Sequence, residues 1–257
     1  MSQAKLLGYF CQWGGYAAAE MAGVAGSRLP EELRIVKVVC TGRLDPVHLV
    51  TALSSGYSGV AVVGCEKKIC RYETGNWFAQ GRVEWAQMIL EVLGVSPDRF
   101  LMGFASSESR DGLSALLAPF AARVRELGAV GKAEKLSAEA VKAMLKLAGR
   151  ILGSKEIRWL MGQELMLAKA GRDCFGRPFD QAAYRNHVRA VLERVMAEAK
   201  ILETLRDESK LIARIAEAIE ASPGRTLKLL TDMVAGGSVE LERTEERYPV
   251  YKASRGR

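Results

Sequence analysis

Val60–Gly64 (Val-Ala-Val-Val-Gly) places five apolar or small residues in succession, with neither a charge nor a helical spacing. Such a run suits a strand covered on both faces, and strands of that kind belong to parallel sheets. A buried parallel strand needs parallel neighbours, and each neighbour needs a crossover, usually a helix, to reach it. This one stretch therefore predicts a layered α/β domain.

The flanking sequence supplies the partners. Lys5–Phe10 reads as a first strand, and Gly14-Gly15 opens an alanine-rich helical stretch, Tyr16–Gly23. Arg34–Val39 is β-branched and reads as a second strand. Asp45-Pro46 offers an N-cap followed by proline at the first helical position, with the helix running to about Ser55 and stopped by Gly56. Beyond the opening strand, Trp77–Leu93 has apolar residues at helical spacing up to Gly94. Phe100–Ala105 is a fourth strand, and Leu113–Leu127 a fourth helix closed by Gly128. The alternation predicts four parallel strands with right-handed crossovers and helices on both faces, over residues 1–128.

That topology gathers chemistry. In open parallel sheets, ligands sit beyond the carboxyl ends of the strands. Cys11, Cys40 and Cys65 each follow a strand, and Cys70 returns from a short basic loop, so four of the five cysteines converge on one edge. Four thiolates suit tetrahedral zinc, a [2Fe–2S] or a [4Fe–4S] cluster. Neither paired zinc knuckles nor ferredoxin spacings occur, so spacing leaves iron–sulfur and zinc both open. Lys67, Lys68, Arg43 and Arg71 lie beside these cysteines in sequence, where positive charge would lower thiol pKa values; solvated loop cations are the simpler reading of each. Trp13 and Trp77 could shield such a site or pack in the core. No Gly-x-Gly-x-x-Gly or Gly-Lys-Ser/Thr loop and no Ser/His/Asp or Cys/His set is present, and His48 and His187 stand isolated.

Three blocks in register carry a family resemblance: Phe10-Cys-Gln-Trp-Gly-Gly-Tyr-Ala-Ala-Ala-Glu-Met-Ala-Gly23; Val39-Cys-Thr-Gly-Arg43 with Asp45-Pro46; and Gly64-Cys-Glu-Lys-Lys-Ile-Cys-Arg-Tyr72 with Gly75-Asn76. With a looser match at Phe104–Glu108, residues 4–128 resemble the delta, or iron–sulfur, subunit of methyl-viologen-reducing hydrogenase (the MvhD family). The resemblance implies a flavodoxin-like domain holding one [2Fe–2S] cluster on Cys11, Cys40, Cys65 and Cys70. It implies a non-catalytic member of an oxidoreductase complex of anaerobic metabolism. Electrons would pass from or to a hydrogenase, formate dehydrogenase or other dehydrogenase-type subunit. At the other end of the relay would stand the flavin-containing A-like subunit of a heterodisulfide-reductase-type complex. The chain departs from the family pattern at Gly14, usually the second cysteine of a C-x-x-C pair, and at Glu66, usually histidine.

After a polar linker, 129–136, serines suited to N-caps open helices over Ser137–Leu152 and Ser154–Ala170, and Cys174 falls in a Gly/Arg/Pro loop. Asp180 can cap a long helix in which Tyr184, Val188, Val191, Val195, Leu202 and Leu205 form a stripe. Residues 137–207 thus read as a helical segment. Residues 208–257 read as two helices, Glu208–Ala221 and Thr226–Ala235, and a hairpin, which together suggest a winged helix. The formal charge of +7 divides unevenly: residues 1–128 hold 13 Lys/Arg against 12 Asp/Glu, and residues 129–257 hold 24 against 18. A basic winged-helix tail allows a metal- or redox-responsive DNA-binding regulator as the alternative; docking to a protein partner is preferred, with nucleic acid not expected. The N-terminus has no signal-peptide layout and no apolar run nears the roughly 18 residues of a membrane helix, so a soluble cytoplasmic protein without membrane insertion is expected.

Overall fold

Strands β1 (Leu6–Cys11), β2 (Leu33–Val38), β3 (Gly59–Cys65) and β4 (Phe100–Ala105) form one parallel sheet in the order β2-β1-β3-β4. The computed structural model describes residues 4–108 and 111–254. Every residue of β3 is buried, as its uninterrupted apolar sequence demands. Register then aligns the strand ends: Phe10 stands opposite Val63, Cys11 opposite Val38 and Cys65 opposite Ala105. The predicted flavodoxin-like α/β architecture is the one observed.

Helices α1 (Gly15–Val24), α2 (Val47–Ser54) and α3 (Gly75–Val92) supply the crossovers, and α4 (Gly112–Leu127) follows the last strand. On one face Phe10, Ala61 and Val63 pack with Leu113, Leu117, Phe120 and Val124 of α4. Burying side chains of this size contributes roughly 1.5–3 kcal/mol each. Two further helices, α5 (Ala138–Gly153) and α6 (Lys155–Ala170), complete the first compact unit, Met1–Ala170. Ser137 and Ser154 cap them through Oγ, accepting from the N–H of Ala140 (3.2 Å) and Ile157 (3.3 Å). Helix α5 packs on α2, and α6 on α3, where the Trp85 indole N–H donates to the buried Glu164 carboxylate.

The sheet's amino-terminal edge is closed by Arg99, which has 0% exposure. Its guanidinium donates to the carbonyls of Ser58 (3.0 Å), Gly128 (2.9 Å) and Ala129 (3.2 Å), and to both Glu134 oxygens (3.0 and 3.1 Å). Glu134 in turn accepts from the backbone N–H of Ser96 and Gly131.

The second unit, Gly171–Arg257, holds α7 (Gln181–Thr204), β5 (Lys210–Leu211), α8 (Ile212–Ala218), α9 (Pro223–Ala235), β6 (Val239–Glu245) and β7 (Tyr248–Ala253). Its antiparallel sheet runs β5-β7-β6, which with the element order gives winged-helix topology. Asp180 caps α7, accepting from the Ala183 N–H at 3.0 Å. Ile201, Leu205, Ile215, Leu229, Leu230, Met233 and Tyr251 form its core. The expected helix over Glu208–Ala221 begins instead with β5, two residues too short to leave a period in the sequence. Among the described residues no helix is long and apolar enough to cross a membrane.

Candidate metal centre

The topology delivers the four expected thiols to the sheet's carboxyl-terminal edge. Cys11 and Cys65 are the last residues of adjacent strands, and their sulfurs lie 3.4 Å apart. Cys40 stands two residues past β2, and Cys70 in the loop before α3; Cys11, Cys40 and Cys65 are buried, Cys70 partly so.

Two glycines set the spacing. A Cβ on Gly75 would fall 2.5 Å from Cys40 Sγ and 3.5 Å from Cys70 Sγ, so both sulfurs flank the bare start of α3. Gly75 is the residue that lets them do so. A Cβ on Gly14 would lie 2.5 Å from Cys65 Cα and 2.8 Å from the Ala105 carbonyl oxygen. On this backbone a cysteine at position 14 has no room, and the site is built without one.

Asn76, buried one residue into α3, locks the Cys65 bend. Its amide donates to the Cys65 (3.1 Å) and Glu66 (2.9 Å) carbonyls while its oxygen accepts from the Trp77 N–H (2.8 Å). Arg82 holds the Cys40 loop from below, its Nη1 donating to the Gly42 and Leu44 carbonyls. The expected helix start at Trp77 misses the two residues, Gly75 and Asn76, that bind the helix to the site. Their signal was available as a small residue followed by a cap-type amide.

Burial dominates the electrostatics. It pushes the Cys65 thiol up to about 12; the Arg71 backbone N–H opposes this, and Cys11 and Cys70 add to it. Cys40 is raised the same way, against the Gly42 backbone N–H and the charge of Arg82. Left alone, the Cys40 and Cys65 thiols keep their protons, and a metal's charge would be needed to draw thiolates from them. Their chemistry fits a sulfur-ligated centre. Among the described residues no group of three or more His, Cys, Asp or Glu side chains is arranged to hold a single metal ion. Cys11 and Cys65 stand sulfur to sulfur, and Cys40 and Cys70 both flank Gly75.

Two of the neighbouring cations lie over rings. Arg71 stacks over Trp13 at 4.8 Å and Lys67 over Phe104 at 5.4 Å, at the mouth of the site. Trp13 is about half exposed, and Trp77 meets Phe78 edge-on at 5.3 Å. Cys174 is exposed in the second unit, and His48 and His187 are exposed on α2 and α7.

Residues 6–128 match the family described as methyl-viologen-reducing hydrogenase, delta subunit. The chain is similar to the vhu iron-sulfur D subunit of the F420-non-reducing hydrogenase of Methanopyrus kandleri, 40% identical over 129 residues, 50% of this chain and 98% of that protein. The protein of the same name from Methanocaldococcus jannaschii is 37% identical over 123 residues, 48% of this chain and 92% of its own. The A subunit of the Ferredoxin/F(420)H(2)-dependent CoB-CoM heterodisulfide reductase of Methanosarcina acetivorans is 28% identical over 126 residues, 49% of this chain but 16% of that protein. All three alignments take in about half of this chain.

Proposed function

Because the chain belongs, through residues 6–128, to the methyl-viologen-reducing hydrogenase delta-subunit family, we propose that it is an electron-transfer subunit whose Cys11, Cys40, Cys65 and Cys70 hold a [2Fe–2S] cluster. One observation carries this reading: four thiols meet at a single sheet edge, in a family whose relatives are named iron–sulfur subunits. That relatives are named iron–sulfur subunits supports iron–sulfur over zinc. The cluster would supply reversible one-electron storage. The chain's own residues would bind it by thiolate, fix its loops through Asn76 and Arg82, and seal it on the protein side by burial.

Two partners are proposed. One is a flavin-containing, heterodisulfide-reductase A-like subunit; the other is a hydrogenase, formate dehydrogenase or other dehydrogenase-type subunit. That the same domain makes up 16% of a longer chain, named as the A subunit of a heterodisulfide reductase, supports the first, since a domain fused in one protein commonly docks in another. Residues 129–257 would serve this docking.

Iron and acid-labile sulfide in anaerobically purified protein, with EPR after reduction, test the reading. Two irons and two sulfides per chain with a reduced-state signal are expected; stoichiometric zinc with near-zero iron would sink it.

Winged-helix topology is the observation in favour of a DNA-binding regulator. Charge opposes it. Residues 129–170 hold 8 Lys/Arg against 4 Asp/Glu, whereas residues 171–257 hold 16 against 14, so the winged-helix unit carries only +2. The exposed side of α9 presents Leu227 and Val234 beside Arg225 and Lys228, and β6 exposes Glu240, Glu242 and Glu245 against Arg243 alone. Phosphate backbones disfavour such an acidic strand. Mobility shifts at low salt would reveal DNA binding if it occurred.

A further inference from the structure

A cavity of about 330 Å³ lies in the first unit, behind the loop that carries Cys40, between the start of α2, α3 and α6. Three guanidiniums line it, from Arg43, Arg82 and Arg158, with one carboxylate, Asp45, and apolar walls that include Phe78 and Leu165. Asp45 is already used. One of its oxygens accepts from Arg158 at 2.6 Å and the other from the Val47 N–H at 3.0 Å. It neutralises one guanidinium and leaves two.

Those two have no carboxylate of their own. Arg82 donates to the Gly42 and Leu44 carbonyls, which satisfy N–H groups without supplying negative charge. Among the described residues, neither Arg82 nor Arg43 forms an ion pair. Burial, with the nearby Arg158 charge adding to it against the pull of Asp45 and Cys40, holds the Arg82 guanidinium below its usual range. A planar guanidinium presents paired donors that match the oxygens of a phosphate group. A cavity near the lower end of the roughly 300–1,000 Å³ range of ligand sites suits a small molecule.

From this lining we infer that the first unit carries a second binding site, for a phosphate-type dianion: inorganic phosphate or a small phosphomonoester whose organic part lies against Phe78 and Leu165. Arg43 and Arg82 would take the dianion, and Arg158 with Asp45 would shape the wall. The inference does not depend on the electron-transfer reading.

The test is calorimetric titration of the whole chain, purified anaerobically, at fixed ionic strength, with chloride as the background anion. Inorganic phosphate is expected to bind saturably at one site, and phenyl phosphate more tightly through its ring. Arg43→Gln and Arg82→Gln should each weaken phosphate by about tenfold. Arg43 is exposed and unpaired, so its variant reports even if Arg82→Gln fails to fold. No saturable phosphate binding, or binding unchanged in Arg43→Gln, would overturn the inference. Succinate binding more tightly than phosphate would overturn the assignment to phosphate. Iron content is read separately, so loss of the cluster and loss of this site are distinguishable.

Discussion

The two edges of the parallel sheet are opposites. At the amino-terminal edge Arg99 is wholly buried, yet five hydrogen bonds to three carbonyls and both Glu134 oxygens leave it fully partnered. At the carboxyl-terminal edge, burial instead raises the thiols of Cys40 and Cys65, and Arg82 meets carbonyls without a carboxylate. Both edges bury polar groups. One closes its own charge, and the other leaves positive and proton-holding groups that a ligand could complete. The difference teaches where stability and chemistry reside: the same β-α connections produce both, and residue choice at the strand ends separates them.

The contrast can be broken from either side. The largest change expected is at the thiols, where Cys65→Ser or Cys40→Ser should remove nearly all iron and sulfide while circular dichroism stays native, because serine keeps the volume and loses the ligand. Arg99→Met should do the reverse. It strands Glu134 and three carbonyls in the interior, costing roughly 3–5 kcal/mol in urea unfolding, while iron per folded chain is unchanged. Gly14→Cys, which restores the residue usual in the family, should lower stability by roughly 1–3 kcal/mol without raising iron content, since its Cβ meets the Cys65 backbone.

Acid offers a finer probe of the amino-terminal edge. Burial works against ionisation of Glu134, but hydrogen bonds from Arg99 and the Ser96 N–H outweigh it and hold its carboxyl below the ordinary 4.5. The folded state therefore releases this proton more readily than the unfolded chain. Its stabilisation is complete above pH 4.5 and disappears as pH falls through the lower folded value. Urea midpoints measured down the acid range should fall less steeply in Glu134→Gln than in the unaltered chain. The smallest effect belongs to Cys174→Ser, for which iron and sulfide per chain should match the unaltered protein, as that thiol is exposed in the other unit.

Much of this was legible in the sequence because the residues involved act locally. Val60–Gly64 reports burial on both faces by itself, and strand ends follow from it, so the meeting of Cys11, Cys40, Cys65 and Cys70 is written in the order of strands and cysteines alone. The caps at Ser137, Ser154 and Asp180 are equally local. What escaped depends on long-range packing. Arg82 reaches the Cys40 loop across about forty positions, and no pattern within α3 says so. Trp85 and Glu164 join α3 to α6 over a greater separation, which is why residues 129–170, read as linker and separate helical segment, lie in the first compact unit. In the α7 stripe, Leu192 and Ile201 are buried where Val191 and Leu202 were expected, an offset of one residue that periodicity alone does not resolve. The family blocks compensated in part. They marked Gly75-Asn76 as belonging to the site without showing that one makes room and the other clamps.

Gly42 and Gly75 have a consequence for how the centre fills. A Cβ on Gly42 would lie 2.5 Å from the Gly75 carbonyl oxygen, so the loop bearing Cys40 and the turn following Cys70 touch backbone to backbone. The protein's own backbone makes this contact, with no cysteine side chain taking part. On the proposed reading, a cluster bound there would meet loops whose spacing this contact already constrains. A zinc finger, whose chain collapses when the metal is stripped, has no such contact to fall back on. On that reading, emptying and refilling the centre would be separable from unfolding and refolding the chain.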